Sequence, residues 1–505
     1  MILSLLLAFA AGEAQPLTVA EAVARAIEKN PEMMAERTGK EAAAAALLGA
    51  KGAFDPVLGF RLAQRTATTP ATSILQGVNG RLDERTSAQA TTLRQRLPWW
   101  GMRFENQVEN NRVSTSSPFT SLNPYYAPVW RTTLAVPIWR YRKTDDARTN
   151  LKVRRANQQA ASEEFQARVL DLAARVEAAY WMWVAALEAD AAAGESVRYA
   201  REALESTQRL VRAGEQADNE LAGARGLLRR AEEQGAQLAG QAREAEQQLK
   251  ALLASDGTDP LWEQVWKPVD TSLALPAAAT AAELSQRALE RRPELAAAAL
   301  RLKAERENTK LAAEGRKPAV DFSVTRTAQG LAGRPVPQGT LFPGFSLDAP
   351  PQLIGGFGRA YSQLGRNLYP TYEASLTIEL PLRNREAEGR LGEQRAMERR
   401  AEAQTRQLAV QTTLGVRRAW EAYVAAQARI RAAEDGEAAS RERLESELRL
   451  YREGQSNNLN LNVRQSERTE SQQSLVNARR SLNLASAELR RAAALTLETF
   501  SIKVE

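Results

Sequence analysis

The sequence predicts an α+β fold in which one unit of short helices, strands and a long helical hairpin occurs twice. Three observations predict it. The 505-residue chain contains very long proline-free helical stretches, strand-like segments in which apolar and polar residues alternate, and a second copy of both. A chain of this length usually contains more than one structural region.

The first long helical stretch runs from residue 140 to residue 259 and contains no proline. It is rich in Ala, Glu, Gln, Arg and Leu, which form helices at the least cost. The helical pattern breaks at Gly214, and Gly is favoured just after a helix end. We therefore predict a helix, a tight reversal and a second helix from about residue 220 to 253. At 1.5 Å per residue the first helix would reach roughly 100 Å, which indicates a coiled coil, a stalk or a tube.

The strand-like segments have one apolar and one polar face. Leu58, Phe60 and Leu62 alternate with polar or small residues, and residues 130–138 and 372–382 repeat the pattern. Such segments of about ten residues are typical of a transmembrane β-barrel. An ordinary half-buried sheet would explain the alternation equally well, but it would not explain the long helices beside it. The polar faces, predicted to line a lumen, carry Arg61, Arg94, Arg96, Glu373 and Glu379.

The chain is an internal duplication. Pro31 and Pro56 recur as Pro293 and Pro318, each 262 positions later, whereas Val176 recurs as Val416, 240 positions later. The first copy is therefore longer by 262 minus 240, or 22 residues, which is about one strand hairpin. Weak strand patterns at 90–97 and 102–113 fit this hairpin. Two alternatives stay open: six strands per chain, or four with the hairpin outside the sheet.

These patterns predict a division of the chain into four parts. Residues 1–15 fit a signal peptide, because a short apolar run ends at Ala8-Phe9-Ala10. A misplaced start codon or a buried N-terminal strand is the alternative. The remaining parts are repeat 1 at 16–254 (helices 17–52, strands 56–139, hairpin 142–254 with its tip at 213–220), a linker at 255–282, and repeat 2 at 283–505 (helices 283–315, strands 318–383, hairpin 386–496 with its tip at 453–460).

Composition argues against several classes of function. The chain has no Cys and no His, which excludes disulfides, the usual zinc sites and thiol or histidine catalysis. We find no glycine-framed nucleophile or phosphate loop, so no enzyme activity, metal or cofactor is predicted. The formal net charge is +7, and Arg and Glu are interspersed rather than clustered. We therefore predict no nucleic-acid partner.

This series of elements resembles the TolC-like outer-membrane efflux protein family from Leu17 to about Ile502. The marks are the Asn30-Pro31-Glu32 and Arg292-Pro293-Glu294 openings, the strand starts after Pro56 and Pro318, and turns centred on Gly214 and Gly454. The resemblance implies a homotrimer whose outer-membrane β-barrel is continuous with a periplasmic α-helical coiled-coil barrel. It further implies the exit duct of a tripartite efflux pump or type I secretion system in the Gram-negative outer membrane. The partners would be outer-membrane lipid, a periplasmic adaptor (membrane fusion) protein and an inner-membrane pump.

A periplasmic adaptor or a structural coiled-coil protein of the envelope is the alternative. An adaptor normally carries one hairpin, however, and this chain predicts two. A structural coiled coil would not need the alternating strands.

The resemblance also implies two sets of site residues. The first set lies at the hairpin tips, which would form the periplasmic mouth and the adaptor-docking surface: Arg212, Gly214, Glu220, Leu221, Tyr451, Arg452, Gly454, Ser456, Asn457, Asn458, Asn460 and Leu461. The second is an aromatic girdle at strand ends: Trp99, Trp100, Trp130 and Trp139.

The second tip departs from the family pattern. Tyr451 keeps the family's Tyr, and a Tyr451–Glu220 hydrogen bond is predicted. Ser456 replaces an Arg, and Asn460 and Val463 replace acidic residues that narrow the mouth in relatives. An Asn ring carries dipoles rather than charge, which puts cation selectivity in doubt. Helix capping would explain the Asn residues equally well.

Overall fold

The computed structural model describes residues 15–72, 77, 79–214, 217–272, 280–336, 340–342, 345–346, 348–453, 455–456, 458–500 and 502. The predicted signal peptide lies outside this range, apart from Gln15. The chain forms two compact units. The helical unit comprises residues up to Ala42, Gln159–Leu300 and Glu402 onwards, and the strand unit comprises Ala43–Gln158 and Arg301–Ala401.

Ten α-helices are described in these ranges. They are α1 Val19–Lys29, α2 Pro31–Lys51, α3 Asp146–Arg212, α4 Asp218–Leu253, α5 Ala281–Arg291, α6 Pro293–Gly315, α7 Phe357–Gly365, α8 Arg385–Arg452, α9 Asn458–Ala492 and α10 Thr496–Thr499. Short 3₁₀ turns lie at Gly52–Phe54, Pro260–Glu263 and Pro351–Leu353. No helix among the described residues is long and apolar enough to cross a membrane.

The described strands are β1 Gln15–Leu17, β2 Val57–Pro70, β3 Arg81–Arg96, β4 Arg103–Thr115, β5 Leu122–Pro137, β6 Trp266–Pro268, β7 Ala319–Gln329, β8 Ala332–Pro335, β9 Thr340–Phe342, β10 Phe345–Ser346 and β11 Tyr369–Glu379. β1 and β6 form a short parallel pair, and β9 pairs with β10.

The two repeats begin with the same capping chemistry. Thr18 and Thr280, 262 positions apart, are the N-caps of α1 and α5. In each case the Thr hydroxyl accepts from the backbone N–H of a Glu three residues later, and that Glu side chain accepts from the Thr backbone N–H. This arrangement is a capping box, which satisfies two of the free backbone N–H donors at a helix start. With α3 at 67 residues and α8 at 68, the predicted duplicated fold of helices, strands and long hairpins is confirmed.

The main sheet settles where the additional hairpin lies. Six long antiparallel strands follow the order β11-β7-β5-β4-β3-β2, and β8 pairs with β5 beside them. The hairpin β3–β4 is inserted between β2 and β5, so the chain has the six-strand arrangement. β2 and β11 are the two edges of this sheet.

The register divides the sheet into an apolar face and a polar face. On the apolar face Phe60, Val108 and Trp130 share one row across β2 to β5, because Phe60 pairs with Thr91, Thr91 with Val108, and Val108 with Trp130. Leu134, Phe322, Leu376 and Ile378 belong to the same face. The opposite, polar face carries Arg61, Arg65, Arg94, Arg96, Arg103, Arg131, Glu84, Glu105, Glu109, Asp321, Glu373 and Glu379.

The core of the helical unit centres on the middle of α3. Tyr180, Trp181 and Trp183 are almost completely buried, together with Val176 and Leu172. They pack against α1, the end of α4 and the segment from Leu261 to Trp266. The rings of Tyr180 and Trp181 pack edge to face, with 5.2 Å between their centroids. These aromatic residues of α3 therefore pack between helices.

Candidate channel wall and hairpin tips

The first hairpin reverses at Gly214. Its φ of +77° lies in the left-handed region, where Gly carries no Cβ penalty, and its N–H donates to Val211 O at 3.0 Å. α4 begins at Asp218, and Asp218 and Glu220 in its first turn suit the positive end of the helix dipole. Arg212 and Glu220 are exposed, and Leu221 is half-buried. The tip therefore presents charged side chains to its surroundings.

The second tip is built differently. Gln455 N–H donates to Leu450 O at 2.8 Å, which closes the end of α8. Ser456, which stands where relatives carry Arg, donates through its hydroxyl to Glu447 of the same hairpin. Leu461 is buried, Tyr451 is half-buried, and Asn460 is exposed. Gly454 and Asn457 lie outside the described residues, as do the side chains of Arg452 and Asn458. The Tyr451–Glu220 hydrogen bond stays a prediction.

The four Trp residues of the predicted girdle lie at two levels. Trp99, Trp100 and Trp139 are 62%, 57% and 55% exposed, close to the strand ends that adjoin the long helices. The expectation that Trp130 also lies at a strand end is wrong, because β5 begins at Leu122 and Trp130 lies well inside it. The first half of β5 contains two prolines and lacks an alternating pattern, and this hides the strand start in the sequence.

Trp130 is instead part of a polar row on the apolar face. Its Nε1 donates to Asn106 Oδ1 at 2.7 Å, and Thr132 Oγ1 donates to the same oxygen at 2.8 Å. The Arg326 guanidinium lies over the Trp130 ring, 5.1 Å from its centroid. Arg326 also donates to Asn367 Oδ1 at 2.8 Å.

The polar face carries both signs of charge. Arg94 and Glu105, on the neighbouring strands β3 and β4, form an ion pair at 3.4 Å. Both side chains are largely exposed, so this ion pair contributes little to the stability of the sheet. The polar face therefore carries no single sign of charge.

The linker between the repeats is fixed by carboxylates and by Tyr180. Backbone N–H groups of Ser255 and Leu261 donate to Asp259, and these bonds hold the pKa of Asp259 below its usual range. Tyr180 donates to Leu17 O at 2.9 Å and accepts from Asp270 N–H at 3.2 Å. Burial raises the pKa of Tyr180 to about 12. These bonds join the N-terminal strand, α3 and the linker.

Sequence reasoning missed α7 and the β1–β6 pair. The α7 region is rich in Gly and Pro, which indicates a loop. Phe357, Ala360, Tyr361 and Leu364 nevertheless have helical spacing after Gly355-Gly356, and this pattern could have revealed the helix.

Comparison with known proteins identifies the family. A sequence profile described as "Outer membrane efflux protein" matches residues 129–255 and 284–495, which is more than half of the chain. The chain belongs to this family. Both matched segments include a strand region and a long hairpin, as the duplication requires. A search of curated protein sequences found no match.

Solved structures of outer-membrane channels are similar to this chain. The outer-membrane channel OprN is 19% identical, with a TM-score of 0.63 over 94% of this chain and 89% of that one. The CmeC channel of Campylobacter jejuni is 14% identical, with a TM-score of 0.63 over 95% and 86%. The open MtrE channel of Neisseria gonorrhoeae is 16% identical, with a TM-score of 0.62 over 95% and 89%. At such identities the likeness concerns the fold.

Family membership confirms three predictions. The chain is an efflux channel protein, its location is the outer membrane, and it is not an enzyme. The alternative of an adaptor or a structural coiled-coil protein is therefore set aside. The roles of the tip and girdle residues stay predictions.

Proposed function

We propose that three copies of this chain form the exit duct of a tripartite efflux pump or secretion system. The duct passively conducts cargo from a periplasmic adaptor and an inner-membrane transporter to the outside. The long hairpins extend into the periplasm, and the loop ends of the strands face outwards. The observation that carries this proposal is the pair of open edges, β2 and β11, on a sheet with a lipid-compatible face.

An open edge is costly in a membrane. Each unpaired backbone N–H or C=O group in lipid costs several kcal/mol, so sheets in membranes close into barrels. A single copy contributes six long strands, too few to enclose an aqueous channel. Because the six strands alternate in direction, β2 and β11 run opposite to each other. In a head-to-tail ring, β11 of one copy would therefore meet β2 of the next as an antiparallel pair.

The two edges have complementary side chains. On the polar face, Arg61 and Arg65 of β2 would meet Glu373 and Glu379 of β11. A register that places Arg65 opposite Glu373 places Arg61 one diagonal step from Glu379. Opposite charges across strands stabilise pairing by a few tenths to about 1 kcal/mol.

The same register matches the apolar face. It places Leu62 opposite Leu376 and Phe60 opposite Ile378. Phe60 and Leu62 are 74% and 80% exposed in the single chain, and Leu376 and Ile378 are more than half exposed. Closure would cover the flanks of these side chains. Three copies of six strands would give an eighteen-stranded wall, wider than the family's usual barrel of four strands per copy.

The hairpin tips are the proposed mouth and docking surface for the adaptor. Arg212 and Glu220 are exposed at the first tip, and Leu459 and Val463 are 70% and 46% exposed near the second. An apolar residue beside charged ones is the composition of a protein-binding patch. At the second tip, Asn460 would present a dipole at a position where the family resemblance implies an acidic residue.

Cysteine cross-linking tests the ring, because the native chain has no Cys. Ala63→Cys combined with Ser375→Cys places one thiol on each edge, opposite each other in the register above. Oxidation of outer membranes should produce covalent dimers and trimers of the chain. The matched control, Ala67→Cys with Ser375→Cys, moves one thiol four residues along β2 and should give neither. Equal cross-linking by both pairs, or by neither, would contradict the ring.

Photo-cross-linking tests the docking. A benzophenone amino acid at position 212 or 456 should attach to a periplasmic adaptor protein in cells, and the same residue at position 66 in β2 should not. In a strain that lacks this chain, accumulation of an exported dye should rise. Normal dye export together with no adaptor adduct would contradict the duct.

A further inference from the structure

The outer rim of the apolar face carries more cations than acids. On β3 this face holds Arg81, Arg85 and one acid, Asp83, which pairs with Arg81 at 3.1 Å. Among the described strand residues of β4, β5, β7 and β11, the apolar face holds Arg112 and Arg326 but no Asp or Glu. The acids of these strands are all on the polar face. Lipid-facing Arg costs about 2–4 kcal/mol at the bilayer midplane and about 0–1 near the interface. These arginines are therefore expected at the interface between the membrane and water.

Trp130 and Trp139 indicate how deep Arg326 would lie in a membrane. Trp130 lies inside β5, seven residues before the strand ends at Pro137, and Trp139 lies two residues beyond that end. At about 3.3 Å per residue and the usual strand tilt, this stretch spans roughly 20 Å of height, which is most of the apolar band of about 25 Å in an outer-membrane barrel. Trp139 adjoins the long helices, so Trp130 marks the far border of the band. Arg326 lies over the Trp130 ring and shares that border.

The helix α7 lies on the same face, just beyond this border. Phe357 of α7 packs edge to face on Tyr126 of β5, with 5.9 Å between the ring centroids. A Cβ on Gly330 would lie 2.2 Å from Ala360 O, so only Gly allows α7 to approach this closely. Buried Gln363 holds the helix in place through both backbone groups of Leu331, at 2.7 and 3.0 Å.

α7 adds two more exposed cations, Arg359 and Arg366, beside exposed Phe357, Leu368 and Tyr369. Between residues 330 and 372 the described chain contains one acid, Asp348. No described carboxylate lies within ion-pair distance of Arg112, Arg326, Arg359 or Arg366. A short amphipathic helix with Arg on one side and aromatic residues on the other is the pattern of an interfacial element that attracts anionic lipid.

We propose that α7 and the strand ends beneath it bind the phosphate headgroups of outer-leaflet lipid. This rim patch consists of Arg112, Arg326, Arg359, Arg366, Trp130 and Phe357. The guanidinium groups donate to phosphate oxygens, which they match in a planar, bidentate geometry. The aromatic rings lie against the upper acyl chains. The proposal rests on the proposed duct, whose loop ends face outwards.

The charge and the position of the patch favour lipid over a soluble anion. The cations are spread along a line above an apolar band rather than gathered in a cavity. Arg326 is held towards the rim by Asn367, the residue that follows α7 by two positions, and Asn367 donates in turn to Tyr372 OH at 3.3 Å. The patch therefore joins β7, α7 and the edge strand β11. Bound lipid would be placed beside the proposed contact between copies.

Lipid binding to the full-length protein in detergent tests the proposal. The probes are diphosphoryl lipid A, monophosphoryl lipid A and phosphatidylcholine, with bound lipid counted by native mass spectrometry. Wild-type protein should prefer the diphosphoryl lipid. Arg359→Gln with Arg366→Gln, and separately Arg326→Gln, should lose about fivefold in affinity for each charge removed. Arg326→Lys, which keeps the charge, should lose less.

The control is Arg131→Gln, which removes one charge from the adjacent position on the opposite face of β5. It should bind lipid as wild type does. Equal loss in Arg131→Gln, unchanged binding in the α7 variants, or displacement by millimolar inorganic phosphate alone would overturn the proposal. Particle mass is recorded in the same spectra. A wild-type protein that is not trimeric but still binds lipid through α7 would contradict the duct and leave the lipid patch standing.

Discussion

The two long hairpins are repeats of one another, but the chain buries the first helix of the first hairpin, α3, more completely than its equivalent α8. Leu170, Val176 and Val184 of α3 are 5%, 0% and 8% exposed. Their equivalents 240 positions later, Val410, Val416 and Val424 of α8, are 68%, 0% and 42% exposed. Tyr180 and Trp183 are buried, whereas the equivalent Trp420 and Tyr423 are half-buried.

The difference comes from what packs on each helix. α3 lies under α1, the end of α4 and the linker, which together form the larger core of the helical unit. The core around α8 involves a smaller set of residues from α5, α9 and the segment after α9. An apolar surface that the chain leaves uncovered indicates an interface. We therefore propose that the two similar helices of the duplication serve different ends, one in the core of the chain and one in contact with another copy.

The largest expected effect concerns a buried ion pair that joins the two repeats. Arg490 donates to Glu177, and the two side chains are 1% and 0% exposed. Arg490→Met should destabilise the helical unit by about 3–5 kcal/mol, because it leaves Glu177 buried without its cation. Thermal unfolding in detergent measures this change. Glu177→Leu with Arg490→Met should recover much of the loss, and a double variant as unstable as the single one would contradict the explanation.

The second repeat supplies the matched control. Arg417 occupies the position equivalent to Glu177 and is exposed. Arg417→Met should change stability by about 0.5 kcal/mol or less.

The next effect concerns association between copies. Val410→Glu places a charge on the uncovered surface of α8 and should weaken trimer contact by roughly 2 kcal/mol for each copy. Light scattering in detergent should show dissociation, with helix content by circular dichroism unchanged. Leu170→Glu at the equivalent position of α3 should instead unfold the helical unit. Trimers of Val410→Glu as stable as wild type would show that α8 is not an interface.

Tyr180 gives a smaller effect that depends on pH. Tyr180→Phe should cost about 1–2 kcal/mol, because Asp270 N–H loses its acceptor. The pKa of Tyr180 is about 12 in the folded chain and about 10 in an unfolded one. The stability that this difference contributes is complete below pH 10 and is lost as pH rises towards 12. Wild type should therefore lose more stability than Tyr180→Phe between pH 9 and 11; parallel curves would contradict the burial argument.

The smallest expected effect lies at the second tip. Asn460→Asp would add a negative charge near the proposed mouth and should produce a small increase in cation preference. Reversal potentials in planar bilayers measure it. Asn477→Asp, further along α9, serves as the control. Equal ion selectivity in wild type, Asn460→Asp and Asn477→Asp would show that Asn460 does not lie at the mouth.

Much of this fold could be predicted because it is repetitive. The long helices follow from composition and spacing, the duplication from matching prolines, and the additional hairpin from a difference between two offsets. The start of β5 was missed because its first residues, Leu122 to Tyr126, have no alternating pattern. α7 was missed because the Gly and Pro residues around it indicate a loop, and its place in the fold depends on the close contact between Gly330 and Ala360.

At the hairpin tips, one feature could be predicted from the sequence and another could not. The turn at Gly214 follows from local chemistry, and its φ of +77° agrees with that chemistry. The bond from Ser456 to Glu447 could not be foreseen, because it depends on how the turn folds back on α8. Long-range contacts, rather than local preferences, decide these positions.

Electron cryo-microscopy of protein extracted from outer membranes in detergent tests the central claim most directly. The account predicts threefold particles in which each copy contributes six strands to one closed wall and α8 faces a neighbouring copy. Single copies, or a closed wall with β3 and β4 outside it, would contradict the account.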